Sequence, residues 1–136
     1  MNAGRELDAI IAEKVMGWHL VPVKELCAVL MPPEITGVIW DDDLIMKYQV
    51  PPYSTDIAAA WQVVEKIADT QTHFHAQFVL QRELFGWGCG FRKLNWSGAV
   101  NESVSPFIIH EHCQTAPHAI CLAALKAVGY DPTPSP

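Results

Sequence analysis

The sequence predicts one domain mixing α-helices with β-strands, and two observations carry that expectation. Three segments repeat apolar residues at three- and four-residue steps, the period of a helix. Two others alternate apolar and polar or glycine positions, the period of a strand. The 136 residues match one ordinary domain. A chain of that size buries on the order of two thirds of its unfolded surface and needs no cross-links to fold. Residues 1–130 are expected to form that domain, and the Pro-rich stretch 131–136 a flexible tail.

The first helix is expected over Arg5–Trp18, with Leu7, Ile10, Ile11, Val15 and Trp18 on its apolar stripe and Asp8 off it. Residues 19–53 carry weaker signals. Leu26–Met31 is a short apolar run closed by Pro32 and Pro33, and Ile35–Trp40 leans towards a strand. Asp41–Asp43 suggests a solvated turn, since a calcium loop needs spaced ligands and a glycine. Leu44–Val50 suggests another short strand. Ser54–Ala68 has the clearest helical pattern, with Ser54 as cap, Asp56 in the first turn and a stripe of Ile57, Ala60, Trp61, Val64 and Ile67. Thr72–Arg82 alternates, and so does Phe85–Phe91, where Gly86, Gly88 and Gly90 occupy the face opposite Trp87, Cys89 and Phe91. Asn95–Val100 and Ser105–His112 supply further strand candidates. The last helix, Thr115–Val128, is apolar around almost its whole circumference, which suggests a central position or an oligomer interface.

Composition excludes several classes of partner. The formal net charge is −6, with nine Lys and Arg in no run. Nucleic acid needs a basic surface, so neither it nor an anionic membrane is an expected partner. No apolar run reaches the roughly 18 residues of a membrane span. The polar, acidic start of the chain has no signal-peptide core, so the expected location is the cytoplasm of a bacterial host. Cys27, Cys89, Cys113 and Cys121 form no Cys-x-x-Cys pair and are expected as free thiols packed as small apolar groups.

Three segments carry a family resemblance. They run Arg5-Glu6-Leu7-Asp8-Ala9 through Ala12–Trp18, then Tyr53-Ser54-Thr55-Asp56-Ile57 through Trp61 and Val63–Lys66, then Thr115-Ala116-Pro117-His118 through Leu125. In that order they resemble the phage ABA sandwich domain, a family of small bacteriophage and prophage proteins. The resemblance implies an α+β fold: an α/β/α layered sandwich with a central, mostly antiparallel sheet and about three helices. It brings no reaction with it. Residues 23–43 look longer than the family's usual link between first helix and sheet, and Gln114 stands where the family has an acidic residue. The long link is a candidate for a chain-specific functional insertion.

Four groups of residues could carry chemistry. His73 and His75 share one face of a strand, as do His110 and His112, and two such pairs could supply four nitrogens to zinc or a similar metal. Polar residues on a solvated strand face are the simpler explanation. The hydroxyls of Tyr53, Ser54 and Thr55 sit at a helix start that could hold a small anion, although Asp56 competes for the same positive pole. Arg92 and Lys93 lie beside the glycine face, where a ligand could approach the backbone, although a bulged hairpin explains those glycines equally well. Cys113 adjoins His112, but neighbours on a strand point to opposite faces. The tryptophans Trp18, Trp40, Trp61, Trp87 and Trp96 suit core and interface anchors, since no basic residues interleave with them.

The expected function is a phage or prophage accessory protein that binds rather than catalyses, without a cofactor, as a homo-oligomer. Its partner would be a host protein, a phage protein or a small metabolite. A metal-dependent enzyme built on the His-x-His pairs is the first alternative. A sponge for a small nucleotide signal, motivated by Arg92, Lys93 and the helix starts, is the second.

Overall fold

A computed structural model describes residues 1–23, 27–70, 75–84, 86–94 and 113–130. In chain order these form α1 (Arg5–Lys14), β1 (His19–Val23), β2 (Cys27–Met31), α2 (Asp42–Lys47), α3 (Ile57–Thr70), β3 (His75–Glu83), β4 (Gly86–Leu94) and α4 (Ala116–Ala127). The architecture is an α+β sandwich. Among the described residues it holds four helices and two antiparallel two-stranded sheets, β1–β2 and β3–β4. The strand candidates 95–100 and 105–112 and the tail 131–136 lie outside the described residues.

The main core is built around α4. Every residue from Ala119 to Leu125 is buried, because the helix is covered by α3, β4 and α1 at once. Its all-round apolar sequence therefore reflects a central position within the chain. The apolar faces of α1 and α3 and the Cys89 and Phe91 side of β4 complete this core. On the sheet, Phe78 packs 5.3 Å from Phe91 and meets Trp61 in a T-shaped arrangement at 5.6 Å, ring centre to ring centre.

α3 differs from its sequence expectation in two ways. Its cap is Asp56, whose Oδ1 accepts from the Ala58 N–H at 3.0 Å. Ser54 is instead wholly buried and turned towards α1. The buried stripe is Ala59, Ala60, Val63, Val64 and Ile67, a rotation that leaves Ile57 and Trp61 about half exposed, at 49% and 47%. Small alanines face the neighbouring helix, and the large Trp61 ring lies at the rim against Phe78. At α4, Thr115 holds the cap position without a side-chain bond, and Gly129, at φ 86°, turns the chain out of the helix.

β3 and β4 pair without interruption from His75 opposite Leu94 to Glu83 opposite Gly86, so the ladder has no bulge. Gly86 has another reason to be glycine. Trp87 donates its N–H to the Cys113 carbonyl at 2.8 Å, and a Cβ on Gly86 would overlap that carbonyl oxygen.

Residues 19–50 form a separate small lobe. Val21, Val23, Met31 and Ile39 make its core, with Val29, Ile35, Leu44, Ile45 and Tyr48 packed around them. Ile39 lies alongside Val23 and donates its N–H to the Pro22 carbonyl at 2.9 Å. The strand expected over Leu44–Val50 is largely helix α2. Asp41, expected in a solvated turn, caps that helix by accepting from the Asp43 N–H at 3.0 Å. That cap, with Leu44 and Ile45 packed on the lobe's core, outweighs the apolar run that suggested a strand.

The lobe leaves the C-terminal end of α1 and returns beside its N-terminal end. The return is fixed by Asp8, which is 6% exposed and not off the buried stripe as its charge suggested. Asp8 Oδ1 accepts both the Ser54 N–H at 2.7 Å and the Ser54 hydroxyl at 2.6 Å. Ser54 Oγ in turn accepts the Gly4 N–H at 2.8 Å.

Two substitutions test this account. Ser54→Ala leaves the part-buried Gly4 N–H and the buried Asp8 carboxylate each short of a partner and is expected to cost about 1–3 kcal/mol. Gly86→Ala forces the Cys113 carbonyl aside and is expected to cost about 1–3 kcal/mol. Urea unfolding reads both as a lower midpoint at unchanged slope.

Candidate functional site

The lobe and α1 enclose a cleft of about 370 Å³, within the roughly 300–1,000 Å³ range of small-molecule sites. Three stretches of chain build it. α1 contributes Arg5, Asp8 and Ala9, which share one face because they stand three and four residues apart. β2 contributes Val29, Leu30 and Met31, and the end of α2 with the returning chain contributes Ile45, Tyr48, Gln49 and Val50. Six of the ten lining residues are apolar, and polar atoms, among them those of Arg5, Asp8, Tyr48 and Gln49, make up nearly half of the lining surface.

The two charged groups of the cleft do not neutralise each other. Arg5 is exposed and forms no ion pair among the described residues. Asp8 is buried with both hydrogen bonds from Ser54 on Oδ1, and Oδ2 accepts none among the described residues. A buried carboxylate with one oxygen unsatisfied is an energetically uncomfortable arrangement that a donor in the cleft would relieve.

The residues expected to bind a ligand are dispersed. Tyr53 is 1% exposed, and burial, with smaller contributions from Cys121 and Asp8, pushes its phenol up to about 12. Ser54 is joined to Asp8 behind the cleft wall, and Thr55 is exposed at the surface. The α3 start already holds the Asp56 carboxylate. Arg92 and Lys93 lie on β4, opposite Gln77 and Ala76, and their side chains lie outside the described residues. Of the expected metal ligands, His73, His110 and His112 lie outside the described residues, and only the backbone of His75, at the start of β3, is described. No cluster of three or more His, Cys, Asp or Glu side chains suited to a metal occurs among the described residues.

Arg5, Asp8, Tyr48 and Gln49 escaped the sequence reading. A faint signal existed at Asp8, which stands three and four residues before the buried Ile11 and Ala12 and so on the core side of the helix. The cysteines are free thiols. Cys89, Cys113 and Cys121 are buried as expected, and Cys27 is exposed. Burial pushes the Cys89 thiol up to about 12, with the nearby Cys113 adding to it, and drives Cys121 higher still, with Asp8 and Cys89 adding to it. Both are held protonated and are poor nucleophiles. Trp40 is 68% exposed rather than an anchor in the core. The Arg82 guanidinium lies 5.6 Å over Trp87, so one tryptophan does have a basic partner.

The described residues form an α+β sandwich of helices on small antiparallel sheets, with a cleft between α1 and the lobe. The chain belongs to the phage ABA sandwich domain family, whose model matches residues 9–125, most of the chain, and it is a phage-associated protein. No curated protein and no solved structure matches it. No helix of the described residues is long and apolar enough to cross a membrane.

The buried acids predict an alkaline weakness. Tyr53, Cys89 and Cys121 keep their protons in the folded chain at pH values where the unfolded chain loses them. Stability is therefore full below the ordinary thiol value of 9.0 and falls as pH rises from there towards 12. Each such group contributes a slope of up to about 1.4 kcal/mol per pH unit. Urea unfolding between pH 8 and 10.5 checks this, and Cys89→Ala is expected to flatten the profile. At pH 8 a thiol reagent is expected to modify Cys27 rapidly and the other three thiols only on unfolding.

Proposed function

We propose that this phage protein acts by binding rather than by catalysis, and that the cleft between α1 and the lobe is its ligand site. The observation that carries the reading is the cleft itself, where apolar side chains stand beside a guanidinium and a carboxylate oxygen that have no partner among the described residues. The protonated state of the buried thiols supports binding over thiol chemistry. The reading places the ligand at α1, β2 and residues 45–50, and so gives the long link of residues 23–43 a role as a wall of the site.

Self-association belongs to the same proposal. Leu20, Val38 and Trp40 alternate with the buried Val21, Val23 and Ile39, so they share the outer face of the lobe. They are 67%, 44% and 68% exposed, an apolar surface that a second copy of the chain would cover. The site of action remains the host cytoplasm, in keeping with the expected phage origin.

Amide NMR with a library of small polar and apolar fragments tests the site. Perturbations are expected to cluster at Ala9, Val29, Met31 and Tyr48–Val50. Shifts spread evenly over the surface, or confined to β3 and β4, overturn the reading. Sedimentation at micromolar concentration is expected to show a dimer or larger species that Trp40→Glu dissociates. A strictly monomeric wild-type chain overturns the self-association.

A further inference from the structure

Resting on the cleft as the ligand site, the geometry points to the ligand class: a small zwitterion carrying an aliphatic side chain, of the size and chemistry of a free α-amino acid. Arg5 and Asp8 stand one turn apart on the same face of α1, with Cβ atoms about 5–6 Å apart for that spacing. They carry opposite charges, yet Arg5 forms no ion pair with Asp8 or any other described residue. A purely anionic ligand would meet the Arg5 guanidinium but lie against the Asp8 carboxylate. A purely cationic ligand has the reverse difficulty. A zwitterion satisfies both.

The hydrogen-bonding inventory makes the match specific. Asp8 is 6% exposed and lines the cleft, and its Oδ2 has no donor among the described residues. An ammonium group supplies three donors and no acceptor, so one N–H satisfies Oδ2 and the others remain for water or Tyr48. The guanidinium of Arg5 offers a planar fork that fits a carboxylate with two parallel bonds. Ser54 fixes the other carboxylate oxygen of Asp8 at 2.6 and 2.7 Å, so the acceptor is held in place before any ligand arrives.

The rest of the cleft selects the side chain. Met31, Ile45 and Val50 offer apolar wall with no buried charge. A branched aliphatic group buried there gains from removal of its surface from water. A charged side chain would lose its hydration without a partner. Ala9 is the small residue that leaves room on the α1 wall, so enlarging it should fill the site.

Isothermal calorimetry with L-leucine, 4-methylpentanoate and 3-methylbutylamine tests the assignment on the full chain. L-leucine is expected to bind at one site per chain. The acid lacking the ammonium and the amine lacking the carboxylate are each expected to bind at least 10-fold more weakly. Arg5→Gln, at an exposed position, is expected to weaken L-leucine by at least 10-fold and to bring its affinity close to that of the amine. Ala9→Trp is expected to abolish binding. If the acid or the amine binds as tightly as L-leucine, the zwitterion is overturned and the cleft stands. If L-leucine gives no heat while fragments still perturb Ala9 and Met31, the ligand class falls and the cleft reading survives. If L-leucine binds and Ala9→Trp leaves it unaffected, both fall. Unchanged circular dichroism of each variant confirms that a loss of binding is not a loss of fold.

Discussion

A single buried carboxylate organises the molecule. Asp8 receives the N–H and hydroxyl of Ser54 on one oxygen, and Ser54 receives the N–H of Gly4. These bonds join residues 46 and 50 positions apart, so they close most of the first third of the chain into a loop. Charge-assisted bonds of 2.6 and 2.7 Å in a dry setting are among the stronger polar contacts a protein makes. Their removal would leave buried donors without acceptors, which is why the corner is committed to one geometry.

That commitment explains why a cleft exists at all. α1 is ten residues long, about 15 Å from end to end. The chain leaves its far end at Trp18 and must come back to Ser54 at its near end. The intervening residues therefore run back along the helix, and in doing so they build the β1–β2 hairpin, α2 and a small core of their own. Met31 belongs to the lobe's core, and with Val29 and Leu30 of β2 it also lines the gap that faces α1. The gap that remains is the cleft, and its polar groups are those of the first turns of α1.

The helices and the β3–β4 hairpin were legible in the sequence because their periodicity is local. Leu7, Ile11, Ala60 and Ile67 are buried as their spacing implied, and Phe78, Cys89 and Phe91 share the core face of the sheet. Where the reading failed, a tertiary partner overrode a local preference. Ser54 suits a helix cap, but Asp8 offers it a stronger partner and Asp56 takes the cap. Asp8 itself is charged and was placed outside the stripe, since nothing local reveals that a serine 46 residues away will satisfy it. Ile57 and Trp61 are apolar at helical spacing, yet the alanine face of α3 packs more closely on α4 and rotates them to the rim. The candidate site was almost wholly illegible. Its parts come from three elements distant in sequence, and two of those elements, β2 and α2, carry short ambiguous patterns. Paired imidazoles are conspicuous in a sequence and a lone Arg5 is not.

The two polar features of the chain thus divide their roles by solvent access. Tyr53, Cys89 and Cys121 lie in the main core, where the absence of water keeps each of them neutral and chemically quiet. Asp8 sits at the boundary between that core and the cleft, with one oxygen bound inward to Ser54 and the other without a partner among the described residues. The inward bond anchors the fold, and the outward oxygen has hydrogen-bonding capacity to offer. Under the proposed binding role, folding and recognition share a residue without competing for the same atom. The division is physically consistent because the Ser54 contacts fix the carboxylate plane, and a fixed acceptor loses little freedom when a ligand arrives. A site of this kind needs no catalytic apparatus. It needs a lobe that supplies apolar walls and a helix whose first turns present one acceptor and one guanidinium.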